Sequence, residues 1–388
     1  MTKLDENLFY VGVKHPSLEY FDVIVPTDMG TTYNSYLLRG EKTVLFETVH
    51  NDFSEEFIRN IEEICPLSEI DIIVCDHTEP DHSGSLGAVL SKAPNATVYG
   101  SAPALKNLKN ILNSDFPSVV AKNGLEVDAG GFTLRFLSAP NLHWPDSVFT
   151  YVPELKTVFT CDFLGCHYCG ELSDGDIEDR EKYLAELDRY YKYIFSPFAA
   201  AVKKGVEIIR GIAPERVCSS HGPVLCAHID DVIARYDEKA SAAPDPDLAS
   251  VFYVSCYGYT ALMAKALAEG MRDGGKTVQV FDISNTDKAT LAQAVSSSSF
   301  LAFGSPTLNR DALPPVYEVL SMVSAVADRG KPALIFGSYG WSGEACANLS
   351  ERAKGLGLKV DEELMKVCFR PADEDLKALR EKGRAFVS

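Results

Sequence analysis

Positive charge is scarce in this 388-residue chain: 37 Lys and Arg stand against 55 Asp and Glu, a formal charge of −18. The excess is spread along the chain and not gathered into a tail, which makes nucleic acid and anionic membrane poor partners. A small neutral or gaseous substrate tolerates such a surface, as does a redox protein with a compensating patch. Long apolar runs are missing as well. The uncharged stretch Leu248 to Ala264 is interrupted by Ser, Tyr, Gly and Thr and makes a poor bilayer span. The opening residues, MTKLDENLFYVGV, lack the basic segment, apolar core and cleavage site of a secretory signal, so a cytoplasmic protein is expected. Its ten cysteines then read mostly as reduced thiols.

The length suits two domains, each able to bury its own core. The clearest seam is DEKASAAPDPDLAS, residues 237–250, rich in Ala, Ser, Pro and Asp and without periodic apolar positions. The expected domains are 1–246 and 247–388. Before the seam, strand-like runs dominate: FDVIVP, TVLFETV, DIIVCDH, TVYG, TLRFLSAP, TVFTCD and VCSSHG. Helical patterns lie between them, including SEEFIRNIEEIC, PALKNLKNIL and a long stretch from Asp179 to Ile212. After the seam, short apolar strands alternate regularly with amphipathic helices, the pattern of a parallel sheet covered on both faces.

What the first half does have is CDHTEPDHSGSL, residues 75–86, which places His77, Glu79, Asp81 and His82 within six positions. A strand ending near His77 and a turn through Pro80 let alternate side chains converge at one point. A capping cluster, with Asp81 and Ser83 starting the next helix, is the bland alternative. Three more His stand at strand ends beside small or polar residues: His143 in APNLHWPDS, His167 in GCHYC and His221 in SSHGPV; Asp162 also ends a strand. His77, His82, His143 and His221 with Glu79, Asp81 and Asp162 supply four imidazoles and three carboxylates, and carboxylate-rich mixed sites suit iron. The lone C-x-x-C, Cys166 to Cys169, has no second pair and nothing basic beside it, so incidental buried thiols are expected there.

In the second half there is no G-x-G-x-x-G after the first strand, which disfavours a dinucleotide. The strand runs instead into Ser255, Cys256, Tyr257, Gly258, Tyr259 and Thr260. The Ser255, Tyr257 and Thr260 hydroxyls and the N–H groups of a helix start can cradle one phosphate without Lys or Arg. Two more loops follow strand ends on the same sheet edge. One holds Ser305, Pro306, Thr307, Leu308 and Asn309; the other holds Ser338, Tyr339, Gly340, Trp341 and Gly343. Backbone groups there can hydrogen-bond a flavin ring, and Tyr339 or Trp341 can cover its face.

The order His77-x-Glu79-x-Asp81-His82, then His143, Asp162 and His221, resembles the metallo-β-lactamase fold, with Glu79 where its hydrolases carry a second His. With that Glu and the three later loops, nearly the whole chain resembles the flavodiiron proteins, or A-type flavoproteins. The resemblance implies an α/β multi-domain chain: a metallo-β-lactamase-like αββα sandwich, then a flavodoxin-like doubly wound parallel sheet. It implies two iron ions, one held by His77, Glu79 and His143, the other by Asp81, His82 and His221, with Asp162 bridging. His167, with Tyr190 or Tyr191 (Tyr191 preferred), would stand beside the open face, and the loops of the second half would bind FMN. The implied activity is reduction of O2 to water or of NO to N2O. Electrons would come from a rubredoxin, another small redox protein or a reduced deazaflavin, and the implied assembly is a head-to-tail homodimer or dimer of dimers. The alternatives are a zinc hydrolase with an appended flavodoxin, and an electron carrier whose first domain is a relic.

Overall fold

The computed structural model describes residues 2–388, and the chain folds as two compact units, Met1–Ser241 and Ala242–Ser388. The stretch 237–250 is the end of helix Ile229–Ser241, three connecting residues and the start of strand Asp245–Tyr253. Among the described residues, no helix is long and apolar enough to cross a membrane.

The first unit is an αββα sandwich. Its seven-stranded sheet has as central strands Tyr36–Arg39, Thr43–Phe46, Ile70–Val74 and Thr97–Gly100, and its five-stranded sheet runs from Glu126–Asp128 to Arg216–Ser219. Period-two alternation sorts the side chains into layers. Val44, Phe46, Ile72 and Val74 meet Phe136, Val152 and Phe159 between the sheets, where the rings of Phe46 and Phe159 stack at 3.7 Å. Leu45, Ile73 and Val98 point the other way, onto Phe57 and Ile61 of helix Ser54–Glu62 and Leu105 and Leu108 of helix Ala102–Leu112. The outer face of the second sheet is covered by helices Arg180–Tyr190, Ala199–Ile212 and Ile229–Ser241. Each fully buried Phe in these layers contributes roughly 1.5–3 kcal/mol of apolar burial.

Two expected elements differ. The helical stretch Asp179 to Ile212 is interrupted: a π-type turn, Tyr191–Phe195, and a tight 3₁₀ turn, Ser196–Phe198, separate two helices. Pro197 explains the second break, since it offers no N–H to the ladder. FDVIVP is not one strand either. Tyr20–Phe21 pairs with Val25–Pro26, and the chain reverses through Asp22 and Val23, both left-handed at φ 47° and 67°.

The second unit is a parallel sheet in the order Thr277–Asp282, Asp245–Tyr253, Ser298–Gly304, Pro332–Tyr339, followed by two short strands, Lys359–Val360 and Met365–Cys368. That is the flavodoxin-type order, in which ligands bind beyond the strands' carboxyl ends. Phe252, Leu301, Phe303 and Ile335 bury one face; Val251, Ala302, Leu334 and Phe336 bury the other against helices Tyr259–Asp273 and Asp373–Phe386. Those two helices touch through glycines. A Cβ on Gly270 would fall 1.9 Å from the Arg380 carbonyl oxygen, and one on Gly383 would fall 2.3 Å from that of Leu267.

Candidate functional sites

In the first unit the site is built where strands stop. Strand Ile70–Val74 leads into an extended segment carrying His77 and Glu79, and Pro80 then opens the short helix Pro80–Ser83 that carries Asp81 and His82. The Ser83 hydroxyl bonds back to the Thr78 carbonyl at 2.9 Å and fixes the turn. At the end of strand Thr157–Cys161 the pairing register shifts and Cys161 takes φ 48°, a bulge-like irregularity that re-aims Asp162. His221 follows strand Arg216–Ser219. The Asn34 amide donates to the carbonyls of Ser219 and Gly222 at 2.8 and 2.9 Å, and Gly222 has φ 77° in a turn where a Cβ would lie 2.7 Å from the Cys166 carbonyl.

The seven ligand-type side chains come together in two groups. His77, Glu79, His143 and Asp162 form one; Asp81, His82 and His221 form the other. Asp162 faces both. Its Oδ2 lies 3.6 Å from His77 Nε2 and 3.3 Å from His143 Nε2, and its Oδ1 lies 2.9 Å from His82 Nε2 and 3.5 Å from His221 Nε2. Glu79 Oε2 is 3.0 Å from His143 Nε2, and Asp81 Oδ2 is 3.1 Å from His221 Nε2. Atoms each about 2.1 Å from a shared cation stand about 3 Å apart. Both carboxylate oxygens of Asp81 and of Asp162, and both ring nitrogens of His82, are buried without a hydrogen-bond partner. Four of these, Asp81 Oδ2, both Asp162 oxygens and His82 Nε2, face other ligand-type atoms of the two groups, a cluster that is costly unless a cation satisfies it, so the residues fit a metal pair. The field has the matching sign. Burial lowers the His143 pKa, but hydrogen bonds that the ring donates to the Asp162 and Glu79 carboxylates overcome it and push it up to about 9.

Neighbouring groups fix the imidazole tautomers. His77 Nδ1–H donates to Asp146 Oδ1 at 3.0 Å and His221 Nδ1–H to the Thr32 carbonyl at 2.6 Å, leaving each Nε2 a free lone pair. Asp146 also accepts the Thr78 N–H at 3.0 Å. His167 lies beside the groups, not in them. Its Nδ1 is 2.9 Å from the Thr31 hydroxyl, and its ring stands 5.0 Å from that of His221 and 4.4 Å from Phe21. Burial, reinforced by His221, holds His167 well below the usual imidazole range, so it is neutral.

Tyr190 rather than Tyr191 faces this region, its ring 4.8 Å from His167 and 5.9 Å from His221. Successive helical residues diverge by about 100°, which turns Tyr191 away, onto Tyr236 at 5.1 Å. Cys166 and Cys169 are free thiols whose pKa values burial raises, the opposite of a reactive dithiol. Sequence reasoning missed Asp146, Thr31 and Asn34, because each acts across the fold on a residue far away in the chain. It also missed Cys161, whose thiol joins His82 and Asp162 in a third grouping and which burial keeps protonated.

In the second unit the loops at the carboxyl edge enclose a cavity of about 280 Å³. Of the expected residues, Ser255, Cys256, Tyr257, Tyr259, Pro306, Thr307, Leu308, Asn309, Ser338, Tyr339, Gly340 and Trp341 line it. Gly258, Thr260, Ser305 and Gly343 do not. Thr260 is buried with its hydroxyl 2.9 Å from that of Ser338, Ser305 accepts the Leu313 N–H, and the two glycines precede helices. Arg310, Ser342 and Phe369 line it as well. Phe369 follows strand Met365–Cys368, which the sequence reading passed over although its apolar alternation is visible. The cavity suits a planar aromatic phosphate ester. The start of the fifteen-residue helix Tyr259–Asp273 and the Ser255 hydroxyl stand at one wall, and the ring of Trp341 is fully exposed.

A buried mixed-ligand metal site in an αββα sandwich, joined to a flavodoxin-order sheet with a cavity at its carboxyl edge, defines a metallo-flavoprotein class of chain. Residues 31–222 match the family model of the ODP family beta lactamases, and residues 251–383 match that of flavodoxin. Flavo-diiron protein FprA2 of Clostridium acetobutylicum is 39% identical over 99% of this chain and 98% of its own. A nitric oxide reductase of Moorella thermoacetica is 33% identical over 99% of this chain and 98% of its own. Among solved structures, rubredoxin oxygen:oxidoreductase from the anaerobe Desulfovibrio gigas superposes with a TM-score of 0.74 at 29% identity, covering 100% of this chain and 97% of that one. The chain belongs to the flavodiiron protein family.

Proposed function

We propose that this chain is an FMN- and diiron-dependent oxidoreductase that reduces a diatomic gas, O2 to water or NO to N2O, with electrons from a rubredoxin-type carrier. Its relatives bear both activities in their names, one a nitric oxide reductase and the other an oxygen oxidoreductase. The observation that carries the reading is Asp162 lying against both ligand groups, with its own oxygens, those of Asp81 and the ring nitrogens of His82 buried without a hydrogen-bond partner. His77, Glu79 and His143 would hold one iron, Asp81, His82 and His221 the other, and Asp162 would bridge them. The cofactors supply the redox chemistry: two ferrous ions and a fully reduced flavin hold the four electrons that O2 needs, and two suffice for a pair of NO.

The chain's own residues position and protonate. Asp146 and the Thr32 carbonyl orient the His77 and His221 rings. With the His221 Nδ1–H taken by the Thr32 carbonyl, the Thr31 hydroxyl is free to donate its proton to His167 Nδ1 at 2.9 Å. Neutral His167 then carries its proton on Nε2, a buried atom with no other partner, which suits hydrogen bonding to a bound diatomic. The cavity walls in the second unit would seat FMN with its phosphate at the Ser255–Thr260 turn.

Metal and flavin analysis of the purified protein tests the reading. About two irons and one FMN per chain are expected, and zinc alone after growth in ample ferrous salt would refute it. Glu79→His should weaken iron retention and slow turnover, because it replaces a hard oxygen ligand with nitrogen. Unchanged iron content and rate would remove Glu79 from the ligand set.

A further inference from the structure

The loop after strand Ser298–Gly304 holds a feature that flavin binding alone leaves unexplained. Leu308 and Asp311 exchange both backbone hydrogen bonds at 2.9 Å, and the two residues between them are left-handed, Asn309 at φ 50° and Arg310 at φ 66°. This is the two-residue turn whose second central position favours glycine, because a Cβ is crowded there. Asn relieves such a conformation with local hydrogen bonds; Arg has no comparable relief. Strain of this kind persists where the side chain has a task.

Packing does not supply that task. The Arg310 side chain is 84% exposed, and its Nε–H donates to Glu344 Oε1 at 3.0 Å, a surface pair of the sort that stabilises little. What distinguishes Arg310 is its place in the cavity wall. Among the described residues that line the cavity, it alone carries a full charge at neutral pH.

We propose that Arg310 raises the reduction potential of the flavin bound in this cavity, with Glu344 holding the guanidinium at the wall and moderating its field. The proposal rests on the cavity being the FMN site. Two electrons from the carrier and one proton from solvent leave the flavin ring one unit more negative than before. A cation at the wall favours that state, and one unit of charge at contact range in a half-wet site changes the equilibrium by about tenfold. For a two-electron couple a tenfold change is about 30 mV.

The test compares the native protein with Arg310→Gly, Arg310→Lys and Glu344→Gln, each loaded with FMN or with riboflavin. The midpoint potential is read by spectroelectrochemistry, the flavin affinities by fluorescence and the folding of each apoprotein by thermal melting. Arg310→Gly should lower the potential by about 30 mV while its apoprotein melts no lower than the native one, since glycine accepts the turn without strain. Arg310→Lys should keep most of the native potential, and Glu344→Gln should raise it. Higher salt should shrink the differences. An unmoved potential in Arg310→Gly overturns the proposal. So does a loss of preference for FMN over riboflavin at unchanged potential, which would make Arg310 a phosphate ligand. A native protein that takes up neither flavin overturns the flavin reading itself; native flavin binding with a silent Arg310→Gly overturns only the role given to Arg310.

Discussion

Replacing Asp146 with Asn keeps the size of the side chain but removes the charge that holds the Nδ1 proton of His77. The ring then loses its fixed tautomer and part of its basicity. Iron affinity should fall by roughly 10- to 100-fold, read as metal retained on dialysis against a chelator, while FMN content stays at the native level. Unchanged retention would reduce Asp146 to a scaffold residue. This partner was invisible in the sequence although the ligands were not. His77, Glu79, Asp81 and His82 stand close together in the chain, and Asp162 and His221 follow strands closely, so their order alone suggested convergence; His143 lies in the loop five residues after strand Thr133–Ser138. Asp146 meets His77 across 69 positions, and nothing local to either residue marks the contact. The choice between Tyr190 and Tyr191 was equally hidden, because it depends on how the helix is rotated.

At the scale of elements, the alternation of apolar strands and amphipathic helices made the second unit legible as a parallel sheet covered on both faces. The contact between helices Tyr259–Asp273 and Asp373–Phe386 was less visible, since a glycine in a helical pattern usually signals only weakness. Here Gly270 and Gly383 let two backbones touch. Gly383→Ala must push the helices apart and should cost about 1–3 kcal/mol, measured as a lower denaturation midpoint for flavin release with the iron content of the first unit unchanged. A neutral result would mean the helices can slide. The hairpin Tyr20–Pro26 was read as a strand because its residues are β-formers. Tertiary contact overrides that preference: Phe21 is buried against the rings of His167 and His221, which leaves Val23 in the turn, 87% exposed.

At the scale of the whole molecule, one unit gathers ligand-type side chains and the other carries a cavity at the carboxyl edge of its sheet. Three residues connect them, 242–244, too short a link to act as a long flexible tether. A head-to-tail homodimer, which the family resemblance implies, would let the flavin of one copy serve the irons of another and so supply an electron path that a single chain does not guarantee. Sedimentation should therefore show a dimer or a dimer of dimers, with activity lost on dilution below its dissociation constant; a fully active monomer would remove the dimer from the mechanism. The most direct measurement is rapid mixing. Native protein and Asp162→Asn, both loaded with FMN and reduced without oxygen, are mixed with O2 and separately with NO while flavin absorbance is followed. Fast reoxidation by at least one gas in the native protein, and slow reoxidation by that gas once the shared carboxylate is gone, is the expected result. Equal rates in the two proteins would contradict the claim that electrons leave through a metal pair bridged by Asp162.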